Sequence, residues 1–485
     1  MSERSERTIS PSDFVIVGGG SAGSTLAARL SEDPSRSVLL LEAGPLGPLG
    51  DDNDRLANVS FALTARDWGL KAQIEGKREL DYPQGRFLGG GSSVNGALAF
   101  RGMPSDYDGW GSESWAWSDM LRCFRRLERD LDFGDETDIH GDDGPIPIVR
   151  WHEDELVPLQ QAFRAGCESL GWKWNADFNR PGTGGVGPFP MNRDGDMRVS
   201  TALAYVAPVL DRPNLTVRGD AHVARILFSG TRATGVELAS GERIEAGEVV
   251  VSSGSFQSPA LLMRSGIGPG GALVDNPEVG EHLTDHPGLF LFATPKGDLG
   301  PTDPQYQLAL RYSSRNGSDE DMFLSMMNLF DLGGTNVVTL TCGVHEPRSR
   351  GRVTITSQDP LAPPRVDLNL LSHPLDVERL VEGLRSCRDV LRAGLGQFVS
   401  GTQMLTEDDF ADDATLAGYV RSVVAGWYHP VGTCGIGRVV DDDLSVRGID
   451  GLRVCDASVM PTICKAPTNL TTIAIAERAA ELLSR

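Results

Sequence analysis

The chain has 485 residues, enough for roughly two or three hydrophobic cores or for one large enzyme with an inserted second domain. Its composition, 40% hydrophobic and 23% charged, is that of a globular protein that folds in water. The net charge is −22 at pH 7, and so acidic a surface repels nucleic-acid phosphates and anionic lipid. We therefore expect no nucleic-acid partner and no membrane-surface role.

Three sequence features bear on the cellular location. Residues 1–12 carry charges and no apolar core, so we expect no signal peptide. The chain has no apolar run of about 18 residues, so we expect no membrane span. The seven cysteines are scattered and form no CxxC pair, which favours reduced thiols over a disulfide framework or a zinc site. Together these features predict a cytoplasmic protein without a bound metal.

The first predicted unit is a strand, a glycine-rich loop, a helix and a second strand. Residues 14–17 form a short apolar run typical of a buried parallel strand, and residues 18–23 fit the pattern G-x-G-x-x-G. Such glycines allow a tight turn, the approach of a pyrophosphate and close packing of the helix on the strand. The second strand, 38–41, ends at Glu42, whose carboxylate suits a ribose diol. This context favours a dinucleotide site over an ordinary turn, without separating FAD from NAD.

Two further glycine-rich segments follow. Residues 85–102 contain three consecutive glycines between apolar residues, which predicts a buried loop beside a ligand or another backbone, with a surface loop as the alternative. Residues 249–251 are typical of a third buried strand. We predict a turn at 254–255 and a helix that begins at 258–259, because proline is favoured at the first position of a helix.

These segments, with others along the chain, resemble the glucose–methanol–choline (GMC) oxidoreductase family of flavoproteins. The motifs that carry the resemblance, beyond the loop at 18–23 and Glu42, are GRFLGGGSSVNG at 85–96, HGDDGP at 140–145, RVSTALAY at 198–205, GSFQSPALLMRSGIG at 254–268, VGEHLTDHP at 279–287, HPVGTC at 429–434 and VCDASVMPTI at 454–463. They follow the order that the family has, and they span nearly the whole chain.

The resemblance implies an α/β fold in two domains. One is a doubly wound, Rossmann-like FAD-binding domain, discontinuous in sequence, and the other is an inserted α+β substrate-binding domain, or cap, with an antiparallel sheet. The FAD-binding domain would comprise residues 1–135, 205–290 and 430–485, and the cap residues 136–204 and 291–429. Within the cap we predict a strand at 353–356 and a helix at 377–393.

By the resemblance, His429 is the catalytic histidine. Oxidation of an alcohol to a carbonyl removes a hydroxyl proton and a carbon-bound hydride, and the hydride would go to flavin N5. Imidazole, with a pKa of about 6.5, suits the removal of the proton. Neighbours at metal-ligand spacing are missing from the sequence, so a structural histidine is the main alternative for His429. We interpret His140, His286 and His373, which lie in turn-like Gly or Pro contexts, as structural.

The C-terminal segment both fits the family and departs from it. A strand is predicted at 452–455, and a helix that begins near Asn469 or Thr471 would point its positive end at the flavin. Relatives usually have a second His or Asn at the position of Pro467, and proline has no hydrogen-bonding side chain. The departure implies that His429 is the sole base, with Asn469 close enough to assist.

The resemblance also implies a set of ligand-binding residues. Some relatives attach FAD through a histidine at the position of Val94, which cannot form that bond, so we predict non-covalent FAD. The predicted cofactor-binding residues are Gly18, Gly20, Ser21, Ala22, Gly23, Glu42, Arg86, Gly90, Ser93, Asn95, Gly96, Val223, Asp456, Ala457, Asn469 and Thr471. The predicted substrate pocket contains Tyr428 and Pro467. Trp427 and residues 322–330 are further candidates, although the latter are equally typical of a core strand.

The leading functional hypothesis is an FAD-dependent oxidoreductase that converts a small-molecule alcohol to a carbonyl. Dioxygen, a quinone or a redox carrier would accept the electrons, and the sequence does not separate an oxidase from a dehydrogenase. A lyase or a light-driven decarboxylase on the same scaffold is the alternative, because Pro467 departs from the usual pattern. A non-catalytic flavin-binding protein is a third reading, against which His429 and the glycine loops argue.

Overall fold

The computed structural model describes residues 12–58, 66–76, 78–182 and 184–484, so the expectation about a signal peptide falls almost entirely on residues outside these ranges. Within the described residues there are eight α-helices, none of them long and apolar enough to cross a bilayer. They are α1 Ser21–Leu30, α2 Pro104–Asp108, α3 Trp117–Leu127, α4 Pro158–Ser169, α5 Gly254–Arg264, α6 Pro374–Val390, α7 Asp413–Val423 and α8 Thr468–Leu483. All seven cysteines are buried and unpaired.

A mainly parallel sheet, here called the parallel sheet, forms the centre of one half of the molecule. Its five parallel strands are, in spatial order, Leu215–Arg218, Val38–Leu41, Ser12–Val17, Arg243–Val251 and Leu452–Val454. The strand Arg243–Val251 also begins an antiparallel extension, through Arg232–Leu238 to Val223–Ser229. Helices α1 and α8 pack in the same core as these strands, which explains why the strands are apolar on both faces.

The predicted strand–loop–helix–strand unit is confirmed. Ser12–Val17 and Val38–Leu41 are neighbouring parallel strands, and α1 connects them. The predicted inner face of α1 is buried, with Leu26 and Ala27 fully inaccessible. The predicted strand at 249–251 is the carboxyl end of Arg243–Val251.

A second sheet, here called the antiparallel sheet, faces the first across the molecule. In spatial order its strands are Val399–Thr402, Pro287–Pro295, Asn336–Val344, Met322–Asp331, Leu308–Tyr312 and Gly185–Pro188, with Ala425–Gly426 also paired to Pro287–Pro295. Helix α6 packs on one face of it. The strand Pro287–Pro295 begins inside the segment 205–290 that the sequence assigned to the FAD-binding domain, and the domain boundaries stay a prediction.

The other strands are short and form four small sheets. They are Lys71–Gln73, Glu79–Asp81, Arg352–Thr354 and Arg365–Asp367 in one sheet, and the pairs Glu128–Asp130 with Ile146–Ile148, Arg193–Asp194 with Met197–Arg198, and Ile267–Gly268 with Val274–Asp275. The predicted strand at 353–356 is therefore Arg352–Thr354. The predicted helix at 377–393 begins earlier, at Pro374, and passes at Val390 into a π-type turn, Leu391–Leu395.

The prediction that a helix begins at 258–259 was wrong, because α5 begins at Gly254 and contains Pro259 in its interior. A proline inside a helix cannot donate to the carbonyl four residues before it, here that of Ser255. The hydroxyl of Thr433 donates to this carbonyl instead, at 2.7 Å. A contact from a distant part of the chain thus compensates for the missing amide, which local sequence rules cannot anticipate.

Candidate active site

A cavity of about 640 Å³ lies between the two sheets. The carboxyl ends of the strands Ser12–Val17, Val38–Leu41 and Arg243–Val251 contribute to one wall, together with the amino-terminal ends of α1 and α8. The antiparallel sheet forms the opposite wall. Ligands of open α/β sheets bind at this edge, beyond the carboxyl ends of the strands.

The glycine motif at 18–23 forms a cradle in the cavity wall. Gly18 has a φ of +105°, and a Cβ there would lie 2.5 Å from the carbonyl oxygen of Ser252. A Cβ at Gly23 would overlap the carbonyl of Gly18, so this position keeps helix and strand close. At Gly20 a Cβ would meet no atom nearer than the Cα of Gly90, at 3.9 Å. Gly20 therefore presents bare backbone to the cavity, as a pyrophosphate site requires.

The second glycine loop lies directly against the first. Gly90 has a φ of +53°, and a Cβ there would lie 2.7 Å from the Cα of Gly20. Three neighbours in this loop, Gly91, Val94 and Asn95, line the cavity. The expectation of a buried loop beside another backbone is thus met.

Glu42 closes the cradle at the end of its strand. Its two carboxylate oxygens accept hydrogen bonds of 2.8 Å from the backbone N–H groups of Gly19 and Gly44. Burial raises the pKa of this carboxyl to about 7, against the effect of the two backbone donors. The side chain is held in one orientation at the cavity wall, where it is able to accept from a hydroxyl of a bound ligand.

The amino-terminal ends of two helices meet at the cavity. Neither α1, capped by Gly20, nor α8, capped by Pro467, has a side-chain cap, so backbone N–H groups of their first turns are available to a ligand. The two ends are joined by a hydrogen bond of 2.7 Å from Ser21 Oγ to Asn469 Oδ1. Ser252 Oγ, also in the lining, is buried and has no hydrogen-bond partner among the described residues. This wall suits an extended anionic ligand.

Most of the residues predicted from the sequence to bind cofactor or substrate line this cavity. They are Gly18, Gly20, Ser21, Ala22, Glu42, Gly90, Asn95, Gly96, Val223, Tyr428, His429, Asp456, Ala457, Pro467 and Asn469.

Four predicted residues do not line the cavity. Gly23 packs on Gly18, and Ser93 donates to the carbonyl of Leu88 at 2.8 Å. Thr471 lies within 2.8 Å of the Tyr107 hydroxyl, on the far side of α8. Arg86 is exposed, with its guanidinium 3.3 Å from the carbonyl of Ala43. Each of these four residues instead contacts other residues of the chain.

His429 lies on a backbone turn that is held by a buried carboxylate. Tyr428, the preceding residue, has a φ of +64°, a conformation that costs free energy in a residue with a side chain. Asp285 accepts the backbone N–H of His429 at 2.9 Å with one oxygen and the hydroxyl of Tyr82 at 2.6 Å with the other. Burial raises the pKa of Asp285 to about 6. No role was predicted for this carboxylate from the sequence, although it lies in the motif at 279–287.

The ring of His429 contacts a second histidine. Its Nδ1 lies 3.0 Å from Nδ1 of His286, and the Nε2 of His286 is 3.1 Å from the carbonyl oxygens of both His345 and Cys464. The ring of His345 stacks on His286 at 4.5 Å. Burial lowers the pKa of His429 to about 4. His286, interpreted from the sequence as structural, therefore belongs to the surroundings of His429.

The antiparallel sheet presents an aromatic and uncharged wall. Side chains two residues apart on a strand face the same side, and the cavity is lined by alternating residues of three strands. These are Phe290 and Phe292, then Phe323, Ser325 and Met327, and then Thr339 and Thr341. Among the described residues, no Asp, Glu, Lys or Arg of this sheet lines the cavity.

Residues 322–330 contribute to the cavity with one face of their strand and to the core with the other. Phe323 and Met327 line the cavity, whereas Leu324 and Met326 lie in the core of the cap. Trp427 adds a further aromatic face, with its indole 5.8 Å from the ring of Phe323.

A group of titratable side chains away from the cavity is close enough together to hold a cation: Glu128, Asp130 and His140. Burial alone would lower the pKa of His140, but its hydrogen bonds to Asp130, Asp177 and Glu128 raise it to about 10. Arg150 lies 2.8 Å from both Asp130 and Asp177. The carboxylates are neutralised by an imidazolium and a guanidinium, which fits a buried ion network better than a metal site.

Comparison with known proteins gives consistent matches over nearly the whole chain. Models of GMC oxidoreductases match residues 12–288 and 347–476. The chain is 35% identical to the 5-(hydroxymethyl)furfural oxidase of a Methylovorus species, over 97% of its own length and 98% of the relative's. It is 33% identical to the oxygen-dependent choline dehydrogenase of Photobacterium profundum, over 97% and 92%. The crystal structure of pyridoxine 4-oxidase from Mesorbium loti matches with a TM-score of 0.89 and 30% identity, over 97% and 98%.

Proposed function

The chain belongs to the GMC oxidoreductase family, whose members are FAD-dependent and act on CH–OH groups, and we propose that its own substrate is an uncharged aromatic alcohol. The observation that carries the proposal is the aromatic wall of the antiparallel sheet, which faces the cavity without an ionised side chain among the described residues. A buried charge on the substrate would have no partner of opposite charge on this wall.

The residues at the parallel sheet fit FAD. Gly20 exposes backbone where a pyrophosphate needs close approach, Glu42 accepts hydrogen bonds where a ribose hydroxyl would donate, and Ser252 Oγ is buried with no partner among the described residues. When bound, FAD supplies the acceptor for the hydride of the alcohol. We propose that it binds non-covalently, because Val94, at the cavity wall, carries no group that can form a bond to it.

We propose that His429 removes the hydroxyl proton. It lines the cavity, and its pKa of about 4 keeps it unprotonated at neutral pH, as a base must be. Pro467 cannot share this proton, since it has no hydrogen-bonding side chain. Asn469 is proposed to assist from α8, where its Oδ1 already accepts from Ser21.

The three relatives differ in the charge of the compounds that their names contain. Hydroxymethylfurfural is uncharged and aromatic, pyridoxine carries a heteroaromatic ring, and choline is a permanent cation. Aromatic rings alone can attract a cation, but the attraction is modest unless a carboxylate adds to it. The antiparallel sheet contributes no carboxylate to the cavity, whose lining carboxylates Asp67, Glu42 and Asp456 lie elsewhere, and this wall thus favours the ring-containing alcohols over choline.

A panel of matched alcohols tests the proposal. The purified holoenzyme is mixed anaerobically with benzyl alcohol, 5-(hydroxymethyl)furfural, pyridoxine, choline and 3,3-dimethylbutan-1-ol, the neutral isostere of choline, and loss of the oxidised-flavin absorbance is followed. We expect the ring-containing alcohols to reduce the flavin fastest, and the neutral isostere to exceed choline by about tenfold or more, because an unpaired cation is costly to bury. A preference for choline would contradict the proposal. Tight flavin binding with no reduction by any alcohol would favour the lyase or decarboxylase alternative.

Admitting air to the reduced enzyme separates an oxidase, which reoxidises at once, from a dehydrogenase that needs a quinone or a redox carrier.

We also propose a cytoplasmic location, and the seven buried and unpaired cysteines support it.

Replacement of Pro467 by alanine should leave the rate of flavin reduction within about threefold of the wild-type rate, because the side chain offers no hydrogen bond to lose. Stopped-flow absorbance with the best alcohol of the panel measures this. Pro374→Ala, at the first position of α6 and outside the cavity lining, is the matched control for removing a proline at a helix start. A loss of about 100-fold or more in Pro467→Ala alone, on the order of 3 kcal/mol, would show that the ring itself shapes the reactive complex.

The second-order rate constant for flavin reduction should be independent of pH from about 8 down to about 5. The pKa of His429 is lowered to about 4, so the imidazole stays unprotonated across this range and the rate falls only as the pH approaches that value. Retention of flavin and of the circular dichroism spectrum at each pH separates loss of base from loss of structure. A decline centred between about pH 6 and 7 would contradict this prediction, because either His429 would titrate like an exposed imidazole or protonation of Asp285, whose pKa is about 6, would disturb His429.

A further inference from the structure

We propose that His286 is a positioning residue that holds His429 in the tautomer with its proton on Nδ1, so that Nε2 of His429 is free to take a proton from the substrate. The assignment of the tautomer follows from the hydrogen-bond geometry together with the burial of His286, which keeps its ring neutral. Its catalytic meaning rests on the function proposed above.

The Nε2 atom of His286 is a hydrogen-bond donor. Two backbone carbonyl oxygens, those of His345 and Cys464, lie 3.1 Å from it. A carbonyl oxygen only accepts hydrogen bonds, so a bare nitrogen lone pair there would be repelled by both. Nε2 of His286 therefore carries a hydrogen, which is shared between the two carbonyls.

The imidazole ring of His286 is uncharged. The side chain is fully buried, and burial, together with the neighbouring rings of His345 and His429, lowers its pKa well below that of a free imidazole. His286 is therefore neutral and has a single N–H. The two carbonyl oxygens place this hydrogen on Nε2. Its Nδ1 must present a lone pair.

The rings of His286 and His429 are joined by a hydrogen bond. Nδ1 of His286 and Nδ1 of His429 are 3.0 Å apart, a hydrogen-bond distance that requires one donor. Because Nδ1 of His286 is the acceptor, His429 donates from Nδ1. A neutral His429 then has its lone pair on Nε2.

One segment of chain thus fixes both parts of His429. Asp285 accepts the backbone N–H of His429 at 2.9 Å, and the next residue, His286, accepts from its ring. When His429 takes a proton on Nε2, the Nδ1–H bond to His286 remains and becomes charge-assisted. Since Pro467 offers no side-chain partner on α8, the orientation of the ring depends on His286.

The direct test is ¹⁵N NMR of the holoenzyme labelled with ¹⁵N-histidine. The resonances of His429 are identified by their loss in His429→Gln. We expect a protonated Nδ1 and an unprotonated Nε2 in the wild-type protein at neutral pH. In His286→Leu, which fills the space without an acceptor, we expect a mixture of tautomers or a proton on Nε2. A protonated Nε2 in the wild-type protein, or an unchanged tautomer in His286→Leu, would overturn the proposal.

Two further variants separate positioning from packing. His286→Asn can place an amide oxygen where Nδ1 stood, and we expect it to retain the wild-type tautomer of His429. His345→Phe replaces the imidazole that stacks on His286 by a phenyl ring and removes no hydrogen bond to His429, and the tautomer should again be unchanged. If the tautomer of His429 changed equally in all three variants, His286 would act only through packing.

Kinetics supply the second readout. His286→Leu should reduce the flavin at least about tenfold more slowly at saturating alcohol, with little change in KM, and His286→Asn should recover most of the rate. Equal rates in the His286→Leu and wild-type enzymes would contradict a catalytic meaning for the tautomer. If no alcohol reduces the flavin at all, the proposed function fails, whereas the NMR result still decides the tautomer.

Discussion

Replacing His429 by alanine should lower the rate of flavin reduction by the alcohol about 10²–10⁴-fold, the usual contribution of a positioned base. The effect should be at the upper end of this range, since Pro467 has no side-chain group that can replace the lost base. Stopped-flow absorbance at saturating alcohol isolates the reductive step. The bound flavin should be unaffected, because His429 is no part of the glycine cradle at 18–23.

The control for this variant is His373→Ala, which removes a histidine at the start of α6, outside the cavity lining. Both proteins should retain equal flavin per chain and similar unfolding temperatures. A fall of less than about tenfold in His429→Ala would mean that another group or solvent accepts the proton, and Asn469 or a bound water would then need a role. A fall with loss of flavin would indicate damage to the cavity rather than to the chemistry.

The local parts of this fold were predictable from sequence because their signals are local. Residues 14–42 form one strand–loop–helix–strand unit, and its apolar runs, glycine spacing and terminal acid are close together in the chain. The start of α5 was mispredicted because the deciding contact is not local. Pro259 is compatible with a helix interior only because the Thr433 hydroxyl, far along the chain, bonds the carbonyl of Ser255.

The candidate site shows the same division. His429 and the glycine loops were found from motifs, but the groups that hold His429 in place were not. Asp285 and His286 are separated from it by 144 and 143 residues in sequence. They adjoin it only because the strands Pro287–Pro295 and Ala425–Gly426 pair side by side. As long as that pairing is unknown, only a turn-like context distinguishes His286 in the sequence.

The aromatic wall was ambiguous in sequence for a geometric reason. The segment at 322–330 is apolar at nearly every position, so it lacks the alternation that marks a half-exposed strand. Its two faces are both covered, one by the core of the cap with Met326 and the other by the cavity with Phe323. A cavity that receives a cofactor and an aromatic substrate selects the same residue types as a core does.

Replacing Gly20 by valine should produce a folded protein that has lost most of its affinity for FAD, by about 100-fold or ~3 kcal/mol. Gly20 has a φ of −74° and an extended ψ of −164°, which suit any residue, so the backbone is not strained. The nearest atom to a new Cβ is 3.9 Å away, and the side chain would lie at the cavity wall. Isothermal titration of the apoprotein with FAD measures the change.

A graded pair and a control make the reason for the loss clear. Gly20→Ala adds one carbon and should lose less affinity than Gly20→Val, because the loss scales with the volume placed between backbone and pyrophosphate. Gly418→Val, at an exposed position of α7 with no atom within 4 Å of a new Cβ, should bind FAD like the wild-type protein. If Gly20→Val retained full affinity, the pyrophosphate would have to lie elsewhere, and the second glycine loop at Gly90–Ser93 would be the next candidate. The apoproteins should all unfold at similar temperatures. The loss of affinity would then be due to the cradle and not to the fold as a whole.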